Sequence, residues 1–264
     1  MPGLTIHEMR ARKGQDQLIY VQVTSAEQAA AAEQAGVDMI GGPYDSGTLD
    51  ITAAAPNMHY KAGLPYGQYA SAEIITDAAF RAMAAGAGSV YTAQSLDFVS
   101  AMAAQGIPVF GHIGLVPPLA TWAGGFRAVG KTSEQAVEMF RQAKRYEDAG
   151  AVGVEIEVVP HRIATEISRR SSLVMISMGA GSGCDVQYLF SADLLGENSG
   201  HVPRHAKVYR DFEAEYARLQ AERIAAYREF AEDVRSGRFP EERHTVGITD
   251  DEFDRFQEEI DKLS

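Results

Sequence analysis

Apolar runs of strand length alternate with Ala-rich stretches of helical spacing over about 200 residues of the chain. The apolar runs predict strands at residues 17–23, 37–42, 88–93, 107–114, 151–159 and 172–181. The stretches between and after them predict helices at residues 25–36, 71–86, 95–106, 132–150 and 161–171. The first of these helices has clear boundaries, with Ser25 as its N-cap and Gly36 at its end.

Two parts of the chain do not share this alternation. Residues 43–69 follow neither period, so they are predicted to form a long irregular loop that holds one short strand. From Lys207 onward, aromatic and aliphatic residues stand at helical spacing among many charges. This pattern predicts one or two amphipathic helices and a short acidic tail helix in residues 250–264, packed on the rest of the chain or on another subunit.

The repeated strand–helix units predict an α/β fold with a parallel sheet covered by helices. About seven or eight such units, each of roughly 25 residues, favour a closed (β/α)8 TIM barrel over an open sheet. We therefore expect a single barrel domain over residues 1–264, with a C-terminal helical extension from about residue 207 to 264. Reactive residues of such barrels lie at the carboxyl ends of the strands, where His112 and Glu157 fall.

Charge and cysteine content narrow the functional classes. The formal net charge of the 264 residues is −12, which argues against nucleic acid and anionic membrane surfaces as partners, because both require a basic face. Cys184 is the single cysteine, so neither an intrachain disulfide nor a multi-cysteine metal cage can form. The chain begins without an apolar leader and has no apolar run of bilayer length, and the default expectation is a soluble cytoplasmic protein.

Glu157 and His112 are the strongest candidates for chemistry. Strand alternation in VEIEVV places Glu155 and Glu157 on one face, opposite the aliphatic positions. A carboxylate at the end of an apolar strand is costly unless it is paired or used, so Glu157 is either a salt-bridged residue or a general base. His112 stands near glycines at a predicted strand end, and it is either a structural hydrogen bonder or a site residue.

Several collinear segments resemble the ketopantoate hydroxymethyltransferase (3-methyl-2-oxobutanoate hydroxymethyltransferase) family. They include TIHEMRARKG, IPVFGHIGLVPP, VEIEVVP, ISMGAGSGCDVQYLFSADLLG and VRSGRFPEERH, in order over residues 4 to about 245. The resemblance implies a barrel of the phosphoenolpyruvate mutase/isocitrate lyase type and a homo-oligomer, commonly a decamer. It also implies transfer of a hydroxymethyl group from methylenetetrahydrofolate to a branched 2-oxo acid that a Mg²⁺ ion holds. Glu157 matches the family's catalytic base, and His112 matches its active-site histidine.

The chain departs from the family's pattern at the positions of its metal ligands. The family's V-G-D-S segment is replaced by GGPYDSG, in which Asp45 and Ser46 recover the pair only with a shift of one residue. The later ligand positions fall on Gly63 and Ala93, and Tyr91 stands in place of a substrate lysine. Asp45 is therefore the one candidate metal ligand, and a single carboxylate with water makes a poor Mg²⁺ site.

Either nearby groups complete the site or the enzyme works without metal. The candidates for a rebuilt site lie within the irregular segment: Asp45, Asp50, His59 and Lys61. His59 or Lys61 would supply positive charge to a carboxylate substrate. Ser46 and Tyr91 complete the set of expected substrate-binding residues.

The sequence leaves three functional hypotheses. The first is a ketopantoate hydroxymethyltransferase-like enzyme that acts on a small 2-oxo acid by enolate or aldol chemistry, with Glu157 as base and an altered or lost Mg²⁺ site. The second is a lyase or hydrolase of the same superfamily that acts on another small carboxylated substrate without folate. The third is a non-catalytic oligomeric binding scaffold, which the retention of Glu157 and His112 in apolar surroundings disfavours.

Overall fold

Eight parallel strands close into a barrel in the computed structural model, which describes residues 3–198 and 200–263. The strands are β1 (Leu18–Gln22), β2 (Met39–Pro43), β3 (His59–Gly63), β4 (Ser89–Tyr91), β5 (Val109–Gly114), β6 (Gly153–Glu157), β7 (Val174–Met178) and β8 (Val186–Phe190). Each strand pairs with its successor in the chain, and β8 pairs with β1 from Leu18–Val186 to Gln22–Phe190. The predicted (β/α)8 fold is confirmed.

Helices accompany the strands, and those that follow β1 to β6 cover the outside of the barrel. The α-helices are α1 (Ile6–Arg12), α2 (Ala26–Gln34), α3 (Thr48–Ala54), α4 (Ala72–Ala84), α5 (Leu96–Ala104), α6 (Ser133–Asp148), α7 (His161–Arg170), α8 (Ser191–Leu195), α9 (Phe212–Arg235) and α10 (Asp250–Asp261). Short 3₁₀ helices span Pro117–Ala123 and Glu242–His244. Side-chain oxygens of Ser25, Ser71 and Thr132 accept hydrogen bonds from the first turns of α2, α4 and α6, which fixes where these helices begin.

The strands bury side chains on both of their faces. Outward-facing residues such as Val154 and Ile156 pack with the helices in the larger apolar cluster. Inward-facing residues such as Leu18, Phe110 and Ile176 fill the barrel interior. Because both faces are covered, these strands appear in the sequence as nearly continuous apolar runs.

The amino-terminal segment closes the bottom of the barrel. Thr5 and Glu8 form a reciprocal capping box at the start of α1. The helix carries Met9, which is fully buried, into the interior cluster. The bottom of the barrel is therefore a packed core, and a ligand site is expected toward the carboxyl ends of the strands.

Residues 43–69 are more regular than the sequence pattern predicts. They contain α3 and β3, so His59 and Lys61 lie in a buried strand rather than in a loop. Polar residues in HYKAG break the apolar run, and α3 has only seven residues, so neither period is visible. The segment that follows GAGSGCD holds β8 and α8, which the sequence pattern did not resolve as separate elements.

Contacts between residues divide the chain into two compact units, one that runs to Arg210 and one that begins at Asp211. The first unit contains the barrel. The second contains α9 and α10, and the predicted C-terminal helices are confirmed as elements. That residues 1–264 form a single domain stays a prediction. No helix within the described ranges combines the length and the apolar character needed to cross a bilayer.

Candidate active site

A cavity of about 870 Å³ opens at the carboxyl ends of the strands. Each strand contributes to its wall: Gln22, Pro43, Gly63, Tyr91, His112, Glu157, Met178 and Phe190. Its volume suits a small organic ligand. A cavity therefore lies at the carboxyl ends of the strands, where the sequence places the site.

A layer of charged side chains forms the floor of this cavity. Lys61 of β3, His112 of β5, and Glu155 and Glu157 of β6 all point inward and are all buried. The register of β5 and β6 places His112 beside Glu155 and Gly114 beside Glu157. Two basic and two acidic side chains thus meet at a buried floor, where electrostatic interactions are stronger than in water.

His112 is held as a cation by this layer. Its Nε2 donates to the Leu115 carbonyl at 2.7 Å, and its Nδ1 lies 2.7 Å from the Tyr91 hydroxyl. The carboxylates of Glu155 and Glu157 lie 3.5 and 3.4 Å from the ring nitrogens. Burial alone would lower the pKa of His112, but the two carboxylates outweigh burial and raise its pKa to about 9. The imidazolium form therefore predominates at neutral pH.

Glu157 presents an oxygen that nothing in the described structure satisfies. Its Oε2 is buried and makes no hydrogen bond, because the N–H of His112 that lies nearest to it is directed at Leu115. A buried carboxylate oxygen without a hydrogen bond is costly; the nearest charged group to this one is Nε2 of His112, at 3.4 Å. Because Glu157 also lines the cavity, its carboxylate is the candidate proton acceptor for a bound ligand.

The backbone that carries Glu157 is strained. Val158 follows directly and has φ 51°, a left-handed conformation that a β-branched residue rarely adopts. Its N–H donates to the Met178 carbonyl at 2.8 Å, and its own carbonyl accepts from Val129 at 3.2 Å. Such strain persists where surrounding structure fixes it, often at functional sites.

Lys61 forms an ion pair with Glu155 at the centre of the floor. Four aromatic rings surround its ammonium, with centroids at 4.6 Å for Tyr20, 4.8 Å for Tyr91, and 5.6 Å for both Phe110 and Tyr188. Burial lowers the pKa of Lys61, and Glu155 partly opposes that effect. Despite its own burial, the pKa of Glu155 is lowered, because Lys61 and His112 stabilise its anion.

The structure does not bring every expected site residue to the cavity. Tyr91 lines it, and its role in substrate binding stays a prediction. Asp45 and Ser46 are exposed in the loop after β2 and do not line the cavity, and the Asp45 carboxylate accepts from the Gly47 amide at 2.8 Å. His59 lies lower in the barrel, between the Leu4 carbonyl at 2.9 Å and the Ser89 hydroxyl at 2.8 Å.

These placements have simple physical reasons. Asp45 is an exposed residue of a tight turn, where an aspartate caps its own backbone. Because strand side chains alternate, His59 and Lys61 both face the interior, but His59 lies two positions closer to the bottom. Burial is the main cause that lowers the pKa of His59 to about 4, so it carries no charge at neutral pH. The positive charge expected from this pair therefore comes from Lys61 alone.

The residues of the cavity do not fit a Mg²⁺ ion. Gly63 and Ala93 line it where the family pattern has ligands, and neither has a side-chain donor. Asp45 lies outside the cavity, and the floor already carries the ammonium of Lys61. Within residues 3–198 and 200–263, no three His, Cys, Asp or Glu side chains are grouped to hold a metal. We assign no step of the chemistry to this ion.

Several cavity residues were not singled out from the sequence. Glu155 was placed on the correct face but given no role, although it is the partner of both Lys61 and His112. Tyr20 and Tyr188, whose stacked rings lie 4.2 Å apart, look like ordinary aromatic residues of strands in the sequence. Their contact with Lys61 joins residues of different strands, so no local sequence pattern reveals it.

Comparison with known proteins identifies a family. The sequence model described as ketopantoate hydroxymethyltransferase matches residues 48–242. The chain is 31% identical to 3-methyl-2-oxobutanoate hydroxymethyltransferase 1 of Methylibium petroleiphilum, over 98% of this chain and 94% of that protein. It is 32% identical to the 3-methyl-2-oxobutanoate hydroxymethyltransferase of Thermus thermophilus, over 91% of this chain and 98% of that protein.

Solved structures with the same fold include enzymes of other activities. A phosphonopyruvate hydrolase solved with oxalate and Mg²⁺ matches with a TM-score of 0.53 and 14% identity, over 98% of each chain. A 2,3-dimethylmalate lyase, described as a PEP mutase/isocitrate lyase superfamily member, matches with a TM-score of 0.50 and 13% identity, over 99% of this chain and 98% of that chain. At this identity the likeness establishes the fold alone.

Proposed function

Because the chain belongs to the ketopantoate hydroxymethyltransferase family, we propose that it transfers a hydroxymethyl unit to a small 2-oxo acid by enolate or aldol chemistry. The observation that carries this proposal is that Glu157 lines the cavity while its buried Oε2 makes no hydrogen bond. A base for carbon acids needs a free lone pair at the position of the substrate proton. The default substrate is 3-methyl-2-oxobutanoate, the acid in the names of the relatives.

The other floor residues support the chemistry that follows proton removal. Loss of a proton beside a ketone places negative charge on the ketone oxygen, and nearby cations stabilise that charge. Lys61 and His112 are the two buried cations of the floor. The Tyr91 hydroxyl accepts a hydrogen bond from Nδ1 of the imidazolium and helps to orient the ring.

The mouth of the cavity suits an anionic co-substrate. Arg127, Lys131 and Arg204 line it, although the chain as a whole carries a net charge of −12. These cations would hold the carboxylates of methylenetetrahydrofolate, which supplies a one-carbon unit when it binds. They would also attract the carboxylate of the 2-oxo acid as it enters.

Proton exchange tests the role of Glu157 directly. In D₂O, the enzyme should replace the proton on carbon 3 of 3-methyl-2-oxobutanoate with deuterium, which NMR follows. We expect Glu157→Gln to slow exchange by about 10²- to 10⁴-fold, the usual contribution of a general base. Glu166→Gln is the matched control, because Glu166 is a half-exposed residue of α7 that does not line the cavity and forms ion pairs with Arg169 and Arg170.

Added Mg²⁺ or EDTA should leave the exchange rate of the wild type unchanged, because the cavity residues do not fit the ion. Exchange at the wild-type rate in Glu157→Gln would refute the role of this residue. Exchange without any hydroxymethylated product, when methylenetetrahydrofolate is added, would instead favour a folate-independent lyase or hydrolase.

A further inference from the structure

Lys61 is the most unusual charged residue of the barrel. It comes from the middle of β3, its side chain is only 1% exposed, and yet it lines the cavity. Buried lysines are rare, because removal of an ammonium from water costs several kcal/mol even in a paired state. A hydrophobic residue would pack among these rings at lower cost. A buried amine at this position therefore indicates a chemical role for Lys61.

The surroundings of Lys61 stabilise one positive charge at one atom. The rings of Tyr20, Tyr91, Phe110 and Tyr188 lie around Nζ, and Glu155 supplies the negative charge. An iminium, the product of an amine and a ketone, places its positive charge on this same nitrogen. The cage that stabilises the ammonium is therefore equally suited to the iminium.

We propose that Lys61 is a nucleophile of this site and forms an iminium with the carbonyl carbon of a bound 2-oxo acid. Glu155 takes a proton from the ammonium, and the freed lone pair of Nζ bonds to the carbonyl carbon. The carbonyl oxygen collects the proton that Glu155 took and one more from nitrogen, and it leaves as water. One ammonium and one ketone thus become one iminium and one water, with no change in charge. Burial lowers the pKa of Lys61 and so favours release of the first proton.

The iminium then replaces the family's metal ion as the group that accepts the electrons released by proton removal. Glu157 removes the proton from carbon 3; the pair of that C–H bond becomes the bond between carbons 2 and 3, and the π pair of the C=N bond moves to nitrogen to give a neutral enamine. Carbon 3 of the enamine then attacks formaldehyde, which serves as the one-carbon electrophile; the formaldehyde oxygen takes the proton from Glu157, and the iminium forms again. Water then adds to the iminium carbon and releases both the product and Lys61. This inference rests on the proposed function, and it accounts for catalysis by a cavity in which Gly63 and Ala93 occupy ligand positions.

Reductive trapping tests the inference on the wild-type enzyme. Sodium cyanoborohydride reduces an iminium to a stable secondary amine, so incubation with 3-methyl-2-oxobutanoate should increase the protein mass by that of the acid less one oxygen atom. Peptide mass spectrometry should locate the adduct at Lys61 and leave exposed lysines such as Lys262 unmodified. The double variant Lys61→Met/Glu155→Gln leaves no unpaired buried charge, and it should yield no adduct while retaining its circular dichroism spectrum.

The proton-exchange experiment, run alongside, separates this inference from the proposed function. Wild-type exchange without any adduct would overturn the iminium and leave Lys61 as a fixed charge. An adduct spread over surface lysines, and unchanged in the double variant, would overturn it as well. An adduct at Lys61 without proton exchange would uphold the iminium and refute Glu157 as the base. Neither adduct nor exchange with a panel of 2-oxo acids would refute both.

Discussion

At the scale of single residues, the charge of His112 depends on its two carboxylate neighbours. An exposed histidine titrates near pH 6.5, whereas Glu155 and Glu157 outweigh burial and raise the pKa of His112 to about 9. A pKa that is raised on folding means that the folded state binds the proton more tightly than the unfolded state. The resulting stabilisation is complete below about pH 6.5 and is lost as the pH rises through about 9.

This raised pKa predicts how the free energy of unfolding depends on pH. At 1.36 kcal/mol per pKa unit, protonated His112 contributes about 3 kcal/mol at most, of which about 2 kcal/mol is lost between pH 7.5 and 10. The difference between wild type and His112→Gln, measured by urea titration, should shrink by that amount over this range. His59→Gln is the control, because the pKa of His59 is lowered to about 4 and its contribution is constant there. A difference for His112 that does not change with pH would contradict the assignment.

The sequence pointed to individual site residues with unequal success. Glu157 and His112 stand at the ends of apolar strands, where a charged group is conspicuous, and both line the cavity. Lys61 was considered as a positive charge in a loop, because polar neighbours conceal its strand. Its cage consists of rings from β1, β4, β5 and β8, and only barrel closure brings these together.

At the scale of elements, the end of β5 and the end of β6 hold each other in place. The Leu115 amide donates to the Glu157 carbonyl at 2.9 Å, directly after the turn at Gly114. Gly114 has φ +88°, and a Cβ built there would lie 2.5 Å from that carbonyl oxygen. A glycine is required for both reasons, and the position of Glu157 depends on it.

Gly114→Ala should therefore affect both stability and activity. Left-handed strain and the clash together should cost about 2–5 kcal/mol of unfolding free energy, and proton exchange should fall because the Glu157 carboxylate moves. Gly36→Ala is the matched control, because Gly36 has φ +76° and a Cβ there would meet no atom within 4 Å. It should cost only about 1–2 kcal/mol and leave exchange unchanged. Equal effects of the two substitutions would show that the clash has no influence.

Element prediction succeeded where a cap or an apolar run marks the element. The helix before Gly36 has Ser25 as its cap and the strand after Gly36 is an apolar run, and both lie within a few residues of the predicted ranges. The short elements α3 and β8 were not resolved, and β3 was expected only as one short strand at no stated position within residues 43–69, because their stability derives from barrel neighbours and not from local pattern. The existence of β3 and β8 follows from closure, since a barrel with a missing strand would leave an unpaired edge.

At the scale of the whole molecule, the second compact unit presents an apolar surface. None of the residues of α9, as the structure describes them, is buried. Its exposed apolar side chains include Leu219, Ile224, Tyr227, Phe230 and Val234. A helix of 24 residues with this many exposed aromatic and aliphatic groups is typical of a surface that another protein covers. We take this face of α9 as the candidate contact surface of the predicted homo-oligomer.

We expect the protein to form a homo-oligomer in solution, with Tyr227 of α9 in its interface. Sedimentation velocity should give a mass that is a multiple of the monomer mass. Tyr227→Glu places a charge among apolar neighbours, and it should shift the protein toward smaller species, because an unpaired charge is costly to bury. Arg228→Gln changes the net charge by the same amount at the adjacent position, so it controls for charge alone and should leave the assembly intact. A wild type that sediments as a monomer at every concentration would refute the oligomer, and equal dissociation of the two variants would refute the role of the apolar face.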